Sequence, residues 1–310
     1  MELWRQNPNL HRLDELRHLV SGSQWTMHHV NAFRVLIDIN TSILPDHYSP
    51  SDEIISRYRL FWAMSRDDVY NAEWDVFYSQ AGDTPPNFIA GITSCMDAIV
   101  DIVDRRNSHD SDLSHTTNED ENELEIATSA LARVICRTFL NLSGLHRKTR
   151  PSWDFVTKNR EATIRILRSI EGTVRNDGSI VYVDQHRRIH PRIWIETKPL
   201  EYAPRSIHYE KTIPQKVAET LTLAQNNCDY LNNIIHDQDV FGIEFSHRYA
   251  SIWHAIIPAS YLIRMYNEPV LSPDDNIVMK RSHVYDLAEP DHRKHFAELF
   301  LAVLNYIDPD

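Results

Sequence analysis

The sequence predicts an α/β protein: a small mixed sheet flanked by helices, with a helical region in front of it. Three features carry that expectation. Apolar residues recur every three or four positions through the N-terminal third, SIVYV and RIWIE alternate β-branched and aromatic residues as strands do, and helical spacing returns on both sides of those segments. At 310 residues, 42% apolar and 25% charged, the chain has a globular composition and enough length to bury a sizeable core.

Taken in order, LDELRHLV, HHVNAFRVLIDI, DEIISRYRLFWAM and FIAGITSCMDAIVDIV read as amphipathic helices, punctuated by Pro45, Pro50, Pro85 and Pro86. Residues 105–124 are polar and acidic, with too little apolar content to offset the entropy of ordering, so a disordered loop is expected there. Helix resumes in LEIATSALARVICRTFLNL and stops at Ser143-Gly144. The break divides a helical region, 1–144, from a core, 145–310. Within the core, TKNREATIRILRSI is expected to be helical, SIVYV and RIWIE are strands, and PQKVAETLTLAQNNCDYLNNII is a helix. VFGIEFS and SIWHAIIPASYLI supply another strand or two, and HRKHFAELFLAVLNYI closes the chain as an amphipathic helix.

Composition removes several function classes. The seven glycines, at 22, 82, 91, 144, 172, 178 and 242, have no spacing that fits a dinucleotide fingerprint, a phosphate-cradling P-loop or a nucleophile elbow. Cys95, Cys136 and Cys228 are odd in number and lack CxxC spacing, which points to free thiols rather than disulfides or a thiolate zinc site. None of the histidines, among them His247 and His254, falls in a ligand pattern such as HExxH. Trp153, Trp194 and Trp253 sit in apolar runs and are expected in the core. No signal peptide or span-length apolar stretch is present, so the expected setting is intracellular, nuclear or cytoplasmic, without a membrane.

The formal charge is −12, yet residues 141–200 hold twelve Lys or Arg against six Asp or Glu. A local basic face there is expected to contact nucleic acid. The same stretch holds the residues best suited to chemistry. In Ile195-Glu196-Thr197-Lys198, strand alternation puts Glu196 and Lys198 on one face. A hard divalent cation takes oxygen ligands, and a lysine beside it can orient or deprotonate a water and stabilise charge on a phosphate. A second carboxylate is needed, and two compete. Asp177 heads SIVYV in an Asn-Asp-Gly turn sequence, while Asp154 lies in the apolar run PSWDFV behind the basic cluster HRKTR.

Through WDFV, PRIWIETKP, the helix QKVAETLTLAQNNCDYL, FGIEF and SIWH, roughly residues 145–270, the sequence resembles the PD-(D/E)XK nuclease-like superfamily, specifically the nuclease-like domains of fungal proteins. The resemblance implies a restriction-endonuclease-like core with Asp154, Glu196 and Lys198 as the site, Asp154 and Glu196 holding Mg²⁺ or Mn²⁺. It departs at the helix position where the family often has Gln, matched by Glu219 or a shifted Gln215, and at the early helical Glu, for which Glu73 is the nearest residue. The implied activity is metal-dependent hydrolysis of phosphodiester bonds in DNA or RNA, with Lys198 positioning the attacking water. The alternative is a catalytically inactive nuclease-fold module that binds nucleic acid, a protein partner or a second copy of the chain.

Overall fold

Alternation of apolar residues decides where this chain becomes sheet. The computed structural model describes residues 12, 13, 16, 21–44, 95, 118–142, 152–156, 161–198, 207–228, 234–272 and 274–307. Along them run helix α1 (Met27–Ala32), strand β1 (Val35–Ile39), helix α2 (Asn118–Leu142), strands β2 (Ser152–Val156), β3 (Glu161–Ile166), β4 (Ile170–Arg175), β5 (Gly178–Val183) and β6 (Ile189–Lys198), helix α3 (Ile207–Asn226), strands β7 (Gln238–Ser246) and β8 (Tyr249–Ile257), helix α4 (Ala259–Asn267), strands β9 (Ile277–Arg281) and β10 (Tyr285–Asp286), and helix α5 (Pro290–Ile307).

The sheet is larger than the sequence suggests. Among the described residues eight strands form it, in the order β1-β9-β8-β7-β6-β5-β2 with β10 on β8, while β3 and β4 make a separate hairpin. Most neighbours are antiparallel. Two pairs, β1 with β9 and β6 with β7, are parallel, and the second is made possible by the α3 crossover, because parallel neighbours cannot be joined by a tight turn.

Helices cover both faces. Ile193 and Ile195 of β6 bury against a cluster that includes Leu131, Phe139, Phe296 and Phe300 of α2 and α5. Trp194, between them, points the other way, into a cluster with Val217 and Leu221 of α3 and Leu262 of α4. Trp153, Trp194 and Trp253 are all core residues, at most 2% exposed. Gly242 on β7 leaves room for Trp194: a Cβ there would lie 1.9 Å from the indole Cε2. β5 and β6 slip register between Ile180 and Val181, where Val181 faces Pro191, a residue with no N–H to give to the ladder.

Three expectations about local structure change. HHVNAFRVLIDI breaks after Ala32, and Val35–Ile39 becomes a strand whose Val35 and Ile37 enter the α3-side core. TKNREATIRILRSI contains a strand rather than a helix over its described part, because Ile164 and Ile166 both bury while Arg165 between them stays out. Helix α2 starts at Asn118, inside the segment expected to be a disordered loop. Its opening, Asn-Glu-Asp-Glu, is the sequence a helix start favours, with a capping residue type followed by acids at the positive end of the helix dipole. Residues 105–117, 52–64, most of 88–103 and most of LDELRHLV lie outside the described residues.

Candidate functional site

From Trp194 onward, every second residue of β6 faces α3. Trp194 donates from Nε1 to Thr220 Oγ1 at 3.0 Å, and the next two positions on that face are Glu196 and Lys198, as strand alternation requires. Lys198 Nζ and Glu196 Oε1 form an ion pair. Gln215, on the facing turn of α3, ties them together: its Oε1 accepts from Lys198 Nζ at 2.9 Å, and its Nε2 donates to Glu196 Oε1 at 2.5 Å and to Glu219 Oε1 at 3.0 Å. Gln215 and Glu219 lie one helical turn apart, so both reach the strand end from one helix face. Gln215 and Glu219, the two candidates for the expected helix Gln, therefore both stand beside Glu196.

Asp177 and not Asp154 completes the cluster. The Asp177 N–H donates to Ile195 O at 3.0 Å, continuing the β5–β6 register in which Gly178 faces Ile195. Its Oδ2 accepts from both the N–H and the hydroxyl of Thr197, each at 2.7 Å. Since that hydroxyl proton is committed, Ser129 of α2 donates to Thr197 Oγ1, at 2.8 Å. Asp154 is two strands away on the edge strand β2 and faces Val181, four residues along β5 from Asp177. With strands about 4.8 Å apart and a rise of about 3.3 Å per residue, its Cα is on the order of 15 Å from that of Glu196. Asp154 cannot share a cation with Glu196 across that distance, and its Oδ1 instead accepts from the N–H of Phe155 at 2.8 Å. Of the two competing aspartates, Asp177 therefore stands beside Glu196 and Asp154, the one the resemblance implied, does not.

Glu125 of α2 is a further acid at the site that sequence patterning did not single out. Burial, and then the nearby Asp177 charge, push its pKa up, with Lys198 opposing. Glu73, the nearest residue to the early helical acid that the resemblance implied, lies outside the described residues.

Burial dominates the electrostatics. It raises the Glu196 pKa, against the pull of Lys198 and with the help of Asp177. Glu219 is held well above the ordinary carboxylate range by burial and by its contact with Glu196. Burial alone would lower the Lys198 pKa, but Glu196, with Glu219 and Asp177, outweighs it and holds the ammonium above its usual value. Lys198 is therefore a fixed positive charge at neutral pH, which suits electrostatic stabilisation and not proton abstraction. One strand over, Glu244 stands level with Glu196 and pairs with the buried Lys216 at 2.7 Å. Ser251 Oγ and Trp253 Nε1 also donate to Glu244 Oε2, each at 3.3 Å.

Two carboxylate oxygens, Glu196 Oε2 and Glu219 Oε2, are buried without a hydrogen-bond partner. A proton shared between them or a cation would each satisfy them. Among the described residues no group of three or more His, Cys, Asp or Glu is arranged to hold a metal ion. The donor chemistry nonetheless fits Mg²⁺ or Mn²⁺, since the Asp177 and Glu196 carboxylates offer oxygen donors and Mg²⁺ commonly takes only one or two carboxylates and completes its shell with water.

Of the two histidines singled out in the sequence, His254 stands away from the cluster and His247 beside its strand end. His254 is on the opposite face of the sheet, stacked on Phe241 at 4.3 Å and paired with Asp239 at 2.8 Å. His247 occupies the β7–β8 turn, where its backbone N–H donates to Lys198 O at 3.2 Å. In the stretch expected to form a basic face, Arg165, Arg175 and Arg188 pair with Glu171, Glu161 and Asp184; Arg147, Lys148, Arg150, Lys158 and Arg160 lie outside the described residues. No described helix is long and apolar enough to cross a membrane. The three cysteines are free thiols, with Cys136 buried. Compared with protein-family models and with curated proteins, the chain matches none of either.

Proposed function

We propose that this chain is a metal-dependent nuclease that hydrolyses phosphodiester bonds of DNA or RNA on a restriction-endonuclease-like core. The observation that carries the reading is the convergence of Asp177, Glu196 and Lys198 at one strand end, with a buried Glu196 oxygen left without a partner. The order of elements supports it too: helix α2, the antiparallel run β2-β5-β6, the α3 crossover, then β7 parallel to β6.

In this reading Asp177 and Glu196 hold the cation, which when bound supplies Lewis acidity toward a phosphate oxygen and a water. Thr197 fixes the Asp177 carboxylate through two hydrogen bonds, so the ligand is positioned before anything binds. Lys198, held charged, stabilises negative charge growing on the phosphate. Gln215 keeps the ammonium and the carboxylate in register by bonding to both.

One observation favours a second reading, a module that binds nucleic acid or a protein partner without cleaving. The Glu196–Glu219 contact can be closed by a shared proton, which would seal the site without a cation. Melting in the presence of Mn²⁺ and cleavage of single- and double-stranded DNA and RNA separate the two. The nuclease reading expects Mn²⁺ to raise the melting temperature, and Glu196→Gln and Asp177→Asn each to abolish both the rise and the cleavage, while Asp154→Asn retains both. Unchanged melting of the wild type at saturating Mn²⁺ would refute it in favour of the module.

A further inference from the structure

A chain of hydroxyls ties Asp177 to helix α2. Thr197, only 2% exposed, lies on the face of β6 opposite Glu196 and Lys198, as strand alternation requires. Its N–H and its hydroxyl both donate to Asp177 Oδ2 at 2.7 Å, and Ser129 Oγ stands 2.8 Å from the same hydroxyl. Proton counting sets the direction. A carboxylate only accepts, so the single Thr197 proton goes to Asp177 and the Ser129 proton goes to Thr197. Hydroxyls in series polarise one another, so the bond that ends on the carboxylate strengthens when the one behind it forms.

The helix that delivers Ser129 is held over β6 by its own core contacts. Leu131, Ile135 and Phe139, which follow Ser129 along α2, are fully buried in the cluster that contains Ile193 and Ile195. Thr128, the residue before Ser129, returns its hydroxyl to Leu124 O of its own helix at 2.8 Å, which is what helical Ser and Thr commonly do. Ser129 instead directs its proton across to β6.

Both bonds to Asp177 fall on one carboxylate oxygen. The side chain is half-buried, and Oδ1 accepts no hydrogen bond from the described residues and is not enclosed. Asp177 therefore presents one open oxygen in a direction that Thr197 fixes. Mg²⁺ demands near-octahedral ligand geometry, so an oxygen already aimed is a better donor than one free to rotate.

We infer that Ser129 is a positioning residue of the cation site: acting through Thr197, it aims Asp177 Oδ1 at the cation, so that cation affinity depends on how α2 docks on β6. This rests on the reading of Asp177 and Glu196 as holding a cation. Groups that stand behind a metal ligand set its affinity by about 10–100-fold.

The test is the affinity of the full chain for Mn²⁺ without nucleic acid, read from the electron paramagnetic resonance signal of free Mn²⁺. Ser129→Ala should weaken binding about tenfold, and Thr197→Val, which removes the hydroxyl that Ser129 acts through, at least as much. Ser129→Thr keeps a hydroxyl at the same position and should stay within about threefold of the wild type. In EDTA the melting temperature of Ser129→Ala should lie within about 3 °C of the wild type, because alanine favours the helix and offsets the lost hydrogen bond. A purely structural hydroxyl would leave Mn²⁺ affinity untouched. Ser129→Ala binding Mn²⁺ as tightly as the wild type, or Ser129→Thr binding as weakly as Ser129→Ala, would overturn the inference; loss of binding in Asp177→Asn alone would then leave the cation reading standing. Absence of Mn²⁺ binding by the wild type would overturn both.

Discussion

Replacing Glu219 by Gln should stabilise the protein, and increasingly so as pH rises. Glu219 is buried, its Oε1 accepts from Gln215 and its Oε2 has no partner. Burial and the adjoining Glu196 raise its pKa well above the ordinary value of 4.5. Below pH 4.5 the carboxyl is protonated in both folded and unfolded chains, so the wild type carries no penalty there. Above it the unfolded chain loses the proton while the folded protein keeps it, so folding takes up a proton and stability falls with pH until the folded group also ionises. The amide of the Glu219→Gln variant cannot titrate. Its oxygen can still accept from Gln215, and its nitrogen can donate to Glu196 Oε2, which satisfies a second orphaned oxygen. Where the folded carboxyl must hold a proton that the unfolded chain has lost, the amide, which carries its own N–H to Glu196, gains on the order of 1–3 kcal/mol, or roughly 2–6 °C in melting temperature for a chain of this size. Paired melts of both proteins at pH 5 and pH 8.5 in EDTA measure the effect. A gain at pH 8.5 that exceeds the gain at pH 5 is expected, and a substitution that destabilises at pH 8.5, or a difference independent of pH, would refute this account of the carboxyl pair.

Lys198→Met should lower any metal-dependent cleavage by at least about a hundredfold while nucleic-acid binding persists. It should also destabilise the fold above neutral pH by about 1–3 kcal/mol, because it strips the buried Glu196 of its cation; cleavage undiminished in the purified variant would place the site elsewhere. Gly242→Ala forces a Cβ into the buried indole of Trp194 and should cost about 3 kcal/mol. A melting temperature within about 1 °C of the wild type would show that Trp194 can move aside.

Some of this protein was legible in the sequence for a plain physical reason. Alternating β-branched and aromatic residues in SIVYV, RIWIETK and VFGIEFS can bury one or both faces only as strands, and strand alternation alone puts Glu196 and Lys198 side by side. Helical spacing likewise puts Gln215 and Glu219 on one face of α3. Where a short segment satisfied two periods, local pattern failed. Thr163-Ile164-Arg165-Ile166-Leu167 fits a helix face as well as a strand, and only pairing with β4 decides for the strand. Val35–Ile39 becomes a strand because β9, more than two hundred residues later, offers a parallel edge.

Local signals pulled in two directions on the aspartate, hairpin spacing toward Asp177 and the resemblance toward Asp154. Asp154 sits in a convincing strand and Asp177 in a turn, and the strand is the better platform considered alone. What selects Asp177 is the register of β5 on β6, which sets Gly178 opposite Ile195 and brings the preceding residue to Thr197. Glu125 joins the cluster only because α2 packs across the strand end and hands Ser129 to Thr197. The sequence by itself determined the chemistry along one strand and one helix face, since periodicity is a property of neighbouring residues. Tertiary structure decided which distant carboxylates share that place, since register and packing are set by pairings that no short segment contains.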